Sequence, residues 1–100
     1  MARQRWTQSS FRDELPRLLA ERGISQRELA RRVGVNQSYL TFVRQGRRAP
    51  SRKLLEGAAT ALDLQVEYFR EYREAVVIEQ LRADPGVVDR LYRLVRRGCN

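Results

Sequence analysis

The most informative segment of this sequence lies at residues 26–45 and reads QRELARRVGVNQSYLTFVRQ. It predicts two short helices that cross at a tight turn. Ala30 supplies the small side chain needed where the helices touch, and Gly34 tolerates the positive φ angle that such a turn requires. Apolar side chains tie both helices to a core at Leu29, Val35, Leu40 and Val43. This spacing is typical of a helix-turn-helix whose second helix faces outward.

Helix signals recur along the rest of the chain. Residues suited to begin a helix precede apolar-periodic stretches at Ser10, Ser25, Asn36, Ser51 and Asp84. Glycines suited to end a helix follow at Gly23, Gly34 and Gly46. Pro16 predicts either a kink in the first helix or a helix that begins near it. A fifth helix is predicted over about 66–83 and a last one from Pro85. No stretch alternates in the manner of a strand, so the predicted fold class is all-α, with five to six helices.

Composition excludes several classes of function. The 100 residues are 42% hydrophobic, which is enough for one core, and they include one cysteine and no histidine. An internal disulfide, a zinc site built from Cys and His, and histidine-based catalysis are therefore excluded. The carboxylates are scattered over helix faces that look solvated. We expect no enzyme activity, no catalytic residue, no metal site and no cofactor.

The first residues and the hydropathy of the chain predict where in the cell the protein is found. The first ten residues, MARQRWTQSS, lack the apolar stretch of a secretion signal. No run of about 18 apolar residues predicts a membrane span. We therefore expect a soluble, cytoplasmic protein.

Positive charge is concentrated in the first half of the chain. The net charge is +8, yet residues 1–53 carry 13 basic and four acidic side chains, a net of +9. Residues 54–100 carry a net of −1. Arg44, Arg47, Arg48, Arg52 and Lys53 lie within ten positions that hold no acid. Because basic side chains release counterions when they neutralise phosphates, this asymmetry favours contact with a polyanion such as DNA.

A resemblance to a known family sharpens this hypothesis. Residues 25–51 read SQRELARRVGVNQSYLTFVRQGRRAPS and are similar to the Xre-type family of phage Cro and repressor proteins. The motifs are GIS-Q-x-x-LA before the turn, V-x-QSYL after it and G-R-R-x-PS beyond the second helix, and the likeness extends over about 11–69. It implies a lambda-repressor-like helix-turn-helix bundle. We expect a flexible basic arm at 1–9, a DNA-binding domain at 10–65, and C-terminal helices at 66–100 that complete the core or form a dimer.

The resemblance also implies which residues contact DNA. Base edges in the major groove are expected opposite Gln37, Ser38, Thr41 and Phe42. Phosphate contacts are expected from Gln26, Asn36, Tyr39, Arg44, Arg47, Arg48, Arg52 and Lys53. A glutamine can bind adenine with two hydrogen bonds, so we predict an A·T pair opposite Gln37. For Phe42, contact with a thymine methyl group and partial packing in the core remain alternatives.

One departure from the family changes an expectation. The family usually has Glu in place of Arg44 and Arg in place of Leu19, and the two often pair between helices one and three. Both partners are replaced here. We expect Leu19 to pack in the core and Arg44 to be free to face DNA.

The function favoured by this sequence is sequence-specific binding to double-stranded DNA by a transcriptional repressor. A homodimer formed by the last two helices would place two recognition helices on a palindromic operator. Two alternatives stay open: an antitoxin whose C-terminal helices bind a toxin, and a protein-interaction module that no longer contacts DNA. The acid-free stretch 44–53 argues against the last alternative. Arg3 and Arg5 suggest either an arm in the minor groove or a disordered terminus.

Overall fold

The computed structural model describes residues 5–98, and within that range every regular element is helical. The elements are α1 (Phe11–Arg22), α2 (Gln26–Val33), α3 (Gln37–Arg44), α4 (Arg52–Ala61), a 3₁₀ turn (Val66–Tyr68), α5 (Arg70–Ala83) and α6 (Pro85–Gly98). The predicted all-α class is confirmed. The predicted fifth helix is interrupted, because residue 69 is extended between the 3₁₀ turn and α5. Arg3 of the predicted arm lies outside the described residues.

The first four helices begin at the predicted cap residues. Ser10, Ser25 and Ser51 each accept a hydrogen bond from the backbone amide three residues ahead. Asn36 accepts one from the amide two residues ahead. Each bond satisfies an amide that has no partner within its helix. Pro16 lies inside α1, which begins at position 11.

The core is formed by α1 to α4 together with two residues beyond them, Leu62 and Phe69. The Phe69 ring is fully buried and lies edge-to-face against Phe11, with 5.0 Å between the ring centroids. Leu19 is buried as well, as its replacement of the family's arginine predicts. The buried side chains are all apolar among the residues described: Phe11, Leu15, Leu18, Leu19, Leu29, Ala30, Leu40, Val43, Leu54, Leu55, Ala58, Ala59, Leu62 and Phe69.

Gly57 allows α4 to lie close against α2. A Cβ atom at position 57 would lie 2.6 Å from Val33 Cγ1 and 3.1 Å from Val33 Cβ. The approach to the methyl group is the main conflict, because a distance of 3.1 Å to Cβ requires a shift of only a few tenths of an ångström. The close packing of α2 on α4 therefore depends on the absence of a side chain at position 57.

We expect Gly57→Ala to destabilise the protein. Overpacking costs about 1–3 kcal/mol, and the better helix propensity of alanine offsets about 1 kcal/mol of it. Thermal unfolding followed by circular dichroism measures the difference. In a Val33→Ala background the alanine no longer meets the valine Cγ atoms, so the same substitution should be neutral or stabilising there. Equal losses in both backgrounds would show that this contact does not limit the packing.

Residues 6–8 lie against α5 rather than extending away from the domain. Arg73 Nη2 donates to the Thr7 carbonyl at 2.8 Å, and its guanidinium lies 5.0 Å from the centre of the Trp6 ring. Arg70 Nη1 donates to the Gln8 carbonyl at 2.8 Å. The arm predicted over 1–9 is thus attached to α5 at three of its residues.

A second set of contacts joins the start of α1 to the C-terminal part of the chain. Both carboxylate oxygens of Glu71 accept from the Phe11 amide, at 2.9 and 3.1 Å. Burial alone would raise the pKa of Glu14, but hydrogen bonds from Thr7 and Arg17 outweigh it, and the pKa lies below its ordinary value. Glu71 thus accepts from the first amide of α1, and Glu14 accepts from the Thr7 hydroxyl. The sequence pattern predicts neither contact.

Most of the large apolar residues of α6 and of the second half of α5 are exposed, whereas Leu81 and Val87 are half-buried. Neither helix has a buried residue, although the two contact each other. The exposed apolar side chains of these helices are Val76, Val77, Ile78, Val88, Leu91, Tyr92, Leu94 and Val95.

No helix in the described range 5–98 has the length and hydropathy required to span a membrane.

Candidate nucleic-acid interface

The segment α2–turn–α3 has the geometry of a helix-turn-helix. Gly34 adopts a φ angle of 80°, and its amide donates to the Ala30 carbonyl at 2.9 Å. The Ala30 side chain is buried at the crossing of the two helices. Leu40 and Val43 on α3 are buried, which leaves the opposite side of α3 at the surface. These two predicted anchors therefore fix α3 against the core.

The four side chains predicted to contact bases line one groove on the exposed side of α3. They are Gln37, Ser38, Thr41 and Phe42. The spacing 37/41 and 38/42 places them on neighbouring rows of the helix. Phe42 is 36% exposed and does not belong to the buried cluster. The structure thus places Phe42 at the surface rather than in the core.

Arg44 has a hydrogen-bond partner within the chain, which its replacement of the family's glutamate did not predict. Its Nη1 donates to Gln26 Oε1 at 2.6 Å, which links α3 to the start of α2. Gln26 Nε2 in turn donates to Thr41 Oγ1 at 3.0 Å. This bond uses one of the five N–H donors of the guanidinium, so Arg44 keeps donors for a phosphate while it is held by Gln26. Arg44, which stands where the family usually has a glutamate, therefore finds a partner within the helix-turn-helix. Leu19, which stands where the family usually has the arginine, packs in the core.

Arg47 and Arg48 lie beside the groove and are stacked on aromatic rings of α3. Arg47 lies 5.1 Å from the centre of the Phe42 ring, and Arg48 lies 5.8 Å from that of Tyr39. Neither arginine forms an ion pair with an acid in the part of the chain that the structure describes. Stacking holds both side chains at the edge of the recognition surface, and their N–H groups stay available.

Asn36 and Tyr39, predicted to contact phosphates, have structural roles in this state. The Asn36 side chain caps α3 through the Ser38 amide. The Tyr39 hydroxyl donates to the Ala49 carbonyl at 3.2 Å and accepts from the Ser51 amide at 2.8 Å. Tyr39 therefore fixes the basic loop after α3 in position, next to the start of α4.

Arg52 and Lys53, the last two predicted phosphate contacts, also have partners within the chain. Arg52 pairs with Glu79 of α5 through Nη1 and Oε2, and its guanidinium lies 5.3 Å from the centre of the Tyr72 ring. Lys53 Nζ donates to the Gly34 carbonyl at 3.3 Å. Both contacts are exposed, so a phosphate could replace them at little cost.

The outer side of α2 carries less free positive charge than its arginine content suggests. Hydrogen bonds from Arg31 and then Arg32 lower the pKa of Glu28 to about 2. The carboxylate is therefore ionised at neutral pH and offsets part of the charge of its two partners.

No group of three or more acidic side chains suitable for a metal ion occurs in the described residues.

Comparison with known proteins now gives the family. A family model described as helix-turn-helix matches residues 17–69, just over half of the chain. The chain belongs to the helix-turn-helix family. The Xre/Cro-type resemblance predicted from the sequence is confirmed. Among curated proteins, none matches this chain.

Three solved structures are similar to this helix-turn-helix chain. SinR, the master regulator for biofilm formation, in complex with DNA, is 32% identical over 55% of this chain and 89% of its own, with a TM-score of 0.51. The restriction–modification controller protein C.AhdI from Aeromonas hydrophila is 37% identical over 59% and 91%, with a TM-score of 0.53. The complex of SinR with SinI gives 25% identity over 86% and 90%, with a TM-score of 0.54. These neighbours are regulators and not enzymes.

One basic residue of this helix-turn-helix protein near the site was not predicted. Arg12 lies in α1, and its guanidinium approaches Gly46 so closely that a Cβ there would be 1.8 Å from Arg12 Nη1. Arg12 and Arg48 line the same groove beside residues 49–50. Because position 12 is more than thirty residues from the basic loop in sequence, only the tertiary fold brings the two together.

Proposed function

We propose that this chain is a transcriptional repressor that reads specific sequences of double-stranded DNA through the major groove. The observation that carries the proposal is the groove on α3 lined by Gln37, Ser38, Thr41 and Phe42, with Arg47 and Arg48 beside it. Membership of the helix-turn-helix family supports the proposal, as does a structural neighbour solved with DNA.

The mechanism divides the contacts between two tasks. Phosphate contacts fix the register of the protein on the duplex, and base contacts choose the sequence. We assign the first task above all to Arg47 and Arg48, which have no acidic partner among the described residues, and to the amide groups at the start of α2. Gln37 would read adenine. Once bound, the protein would block access of RNA polymerase to the promoter.

We further propose that α5 and α6 form a homodimer interface. Their exposed apolar side chains are unusual for a monomer and lie outside the basic half of the chain. Two recognition helices held one DNA turn apart would then read a palindromic operator. Light scattering at several protein concentrations tests this proposal. We expect a dimer for the wild type and a monomer when Leu91 and Leu94 are both replaced by Ser.

A partner of different sequence is the second candidate for the same two helices. The structure of SinR with SinI, which is similar over 86% of this chain, supports a protein-binding role for this region. Such a partner, for example a toxin, would make this chain an antitoxin. A monomer at every concentration in light scattering would favour this candidate over the homodimer.

Selection of bound fragments from a random DNA library tests the main proposal. We expect one enriched motif, and two half-sites about one helical turn apart if the protein is a dimer. The recovered DNA would show no common motif if α3 does not read sequence.

Arg48→Ala should weaken binding to all duplexes to a similar extent. Loss of one phosphate contact reduces the slope of log affinity against log salt by about one unit. Titrations of a fluorescent duplex at several salt concentrations measure the slope. Arg22→Ala, at the end of α1 where the guanidinium donates to the Leu62 carbonyl, serves as the control and should leave both affinity and slope unchanged. An unchanged slope for Arg48→Ala would remove this residue from the phosphate contacts.

A further inference from the structure

We propose that Thr41 and Phe42 recognise the C5-methyl group of thymine, and that the Thr41 hydroxyl does not contact a base. The inference rests on the proposed function, because it specifies how the groove on α3 reads DNA. It separates the four groove residues by chemistry: hydrogen bonding at Gln37 and Ser38, and apolar contact at Thr41 and Phe42.

The hydroxyl group of Thr41 is already engaged within the protein. It donates to the Gln37 carbonyl at 3.1 Å, and it accepts from Gln26 Nε2 at 3.0 Å. A hydroxyl has a single proton to donate. Donation to a base would therefore require that the bond to the helix backbone be broken. One lone pair of the hydroxyl oxygen is left as an acceptor, whereas the γ-methyl group has no partner to lose, so we assign the contact of Thr41 with DNA to the methyl group.

Arg44 fixes the direction of the Gln26 amide that holds this hydroxyl. Arg44 Nη1 donates to Gln26 Oε1 at 2.6 Å, so the oxygen must point toward the guanidinium. Rotation of the amide by 180° would place its NH₂ group against the arginine, where two donors would face each other. The NH₂ group is thereby directed at Thr41. The orientation of Thr41 is set by residues from both helices.

Phe42 adds a second apolar surface to the same groove. Its ring is 36% exposed, and the Arg47 guanidinium lies 5.1 Å from the ring centre. The ring offers no hydrogen bond to a base edge. In the major groove the apolar feature that distinguishes one base pair from another is the thymine methyl group. Thr41 and Phe42 therefore favour thymine over cytosine at the positions they face.

The side chains of Gln37 and Ser38 differ from these two. Within residues 5–98 neither the Gln37 amide nor the Ser38 hydroxyl has a hydrogen-bond partner. Both remain available for base edges that donate or accept. The first turn of α3 would read hydrogen-bonding groups, and the second turn would read methyl groups.

Replacement of thymine by 2′-deoxyuridine in the selected binding site tests this inference. Deoxyuridine keeps every hydrogen-bonding group of thymine and lacks only the methyl group. We replace the thymines one at a time and measure affinity by fluorescence anisotropy. We expect at least one position where the wild type loses about threefold to tenfold in affinity, the range for a lost methyl contact.

Two variants assign the effect to Thr41. Thr41→Ser keeps the hydroxyl and loses the methyl group, so it should bind thymine and deoxyuridine equally well at one sensitive position. Thr41→Val keeps a methyl group and loses the hydroxyl, and it should stay sensitive to deoxyuridine there. Circular dichroism establishes that both variants are folded. Phe42→Ala should remove the sensitivity at a neighbouring position.

The outcomes separate this inference from the proposed function. A wild type that selects a motif but tolerates deoxyuridine everywhere would overturn the methyl contact and leave DNA reading intact. Sensitivity to deoxyuridine that persists unchanged at every position in Thr41→Ser would show that the Thr41 methyl group does not contact thymine, and would also overturn it. A protein that selects no motif would contradict the proposed function itself, and the inference with it.

Discussion

Phe69→Ala should lower the free energy of unfolding by about 3–5 kcal/mol, the usual cost of removing a fully buried phenylalanine. The ring has no exposed surface and packs edge-to-face against Phe11. Small domains have a total stability of only about 5–15 kcal/mol. The variant should therefore be largely unfolded at moderate temperature. Urea denaturation followed by circular dichroism gives the free energy.

Phe42→Ala is the matched control for this experiment. It removes the same side chain from a surface position, and we expect a change within about 1 kcal/mol. The comparison also tests where the DNA-binding domain ends. If Phe69→Ala were as stable as Phe42→Ala, residues 10–65 would fold without the segment that follows, and the core described above would be incorrect.

Gln37→Ala should reduce affinity for the selected site by about fivefold to 150-fold, equivalent to about 1–3 kcal/mol for one bidentate base contact. Affinity for duplexes of unrelated sequence should change little, because those complexes depend on phosphates. The Gln37 side chain is exposed at the first position of α3 and lines the groove. Parallel titrations with the selected site and a scrambled duplex measure both values.

Gln45→Ala provides the control for this loss. Gln45 is also exposed, but it lies after the last residue of α3 and does not line the groove with Gln37. We expect its replacement to leave the ratio of specific to nonspecific affinity unchanged. An equal loss for Gln37→Ala on both duplexes would mean that Gln37 holds the backbone and does not read a base.

Local sequence signals predicted the helices well. Serine or asparagine caps act on amides two or three residues ahead, so the starts of α1 to α4 follow from positions 10, 25, 36 and 51. The turn at Gly34 and the small side chain of Ala30 also act locally. For this reason the helix-turn-helix could be placed from local signals, whereas the choice of the residues that line its groove came from the family resemblance.

Contacts between distant residues could not be predicted in this way. Periodicity shows which face of a helix is polar, but not which partner a polar side chain finds. The bond of Arg44 to Gln26, the ion pair of Arg52 with Glu79 and the cap of Glu71 on α1 each join separate helices. Two of the arginines predicted to bind phosphate, Arg44 and Arg52, thus also form polar contacts with the protein itself.

The attachment of residues 6–8 to α5 has the same origin. Their composition is polar and resembles that of a free terminus. Only the tertiary position of Arg70 and Arg73 shows that the carbonyls of Thr7 and Gln8 have donors within reach. A polar segment is therefore not evidence of flexibility when a neighbouring helix offers arginines to its backbone.

An equilibrium titration of the wild-type protein with duplex DNA at low and at moderate salt tests the central claim most directly. We predict saturable binding that weakens as salt rises, and an affinity for the selected site at least about tenfold above that for a scrambled duplex. Failure to form a complex with any duplex at low salt, or equal affinity for both duplexes, would contradict the assignment of α3 as a helix that reads DNA.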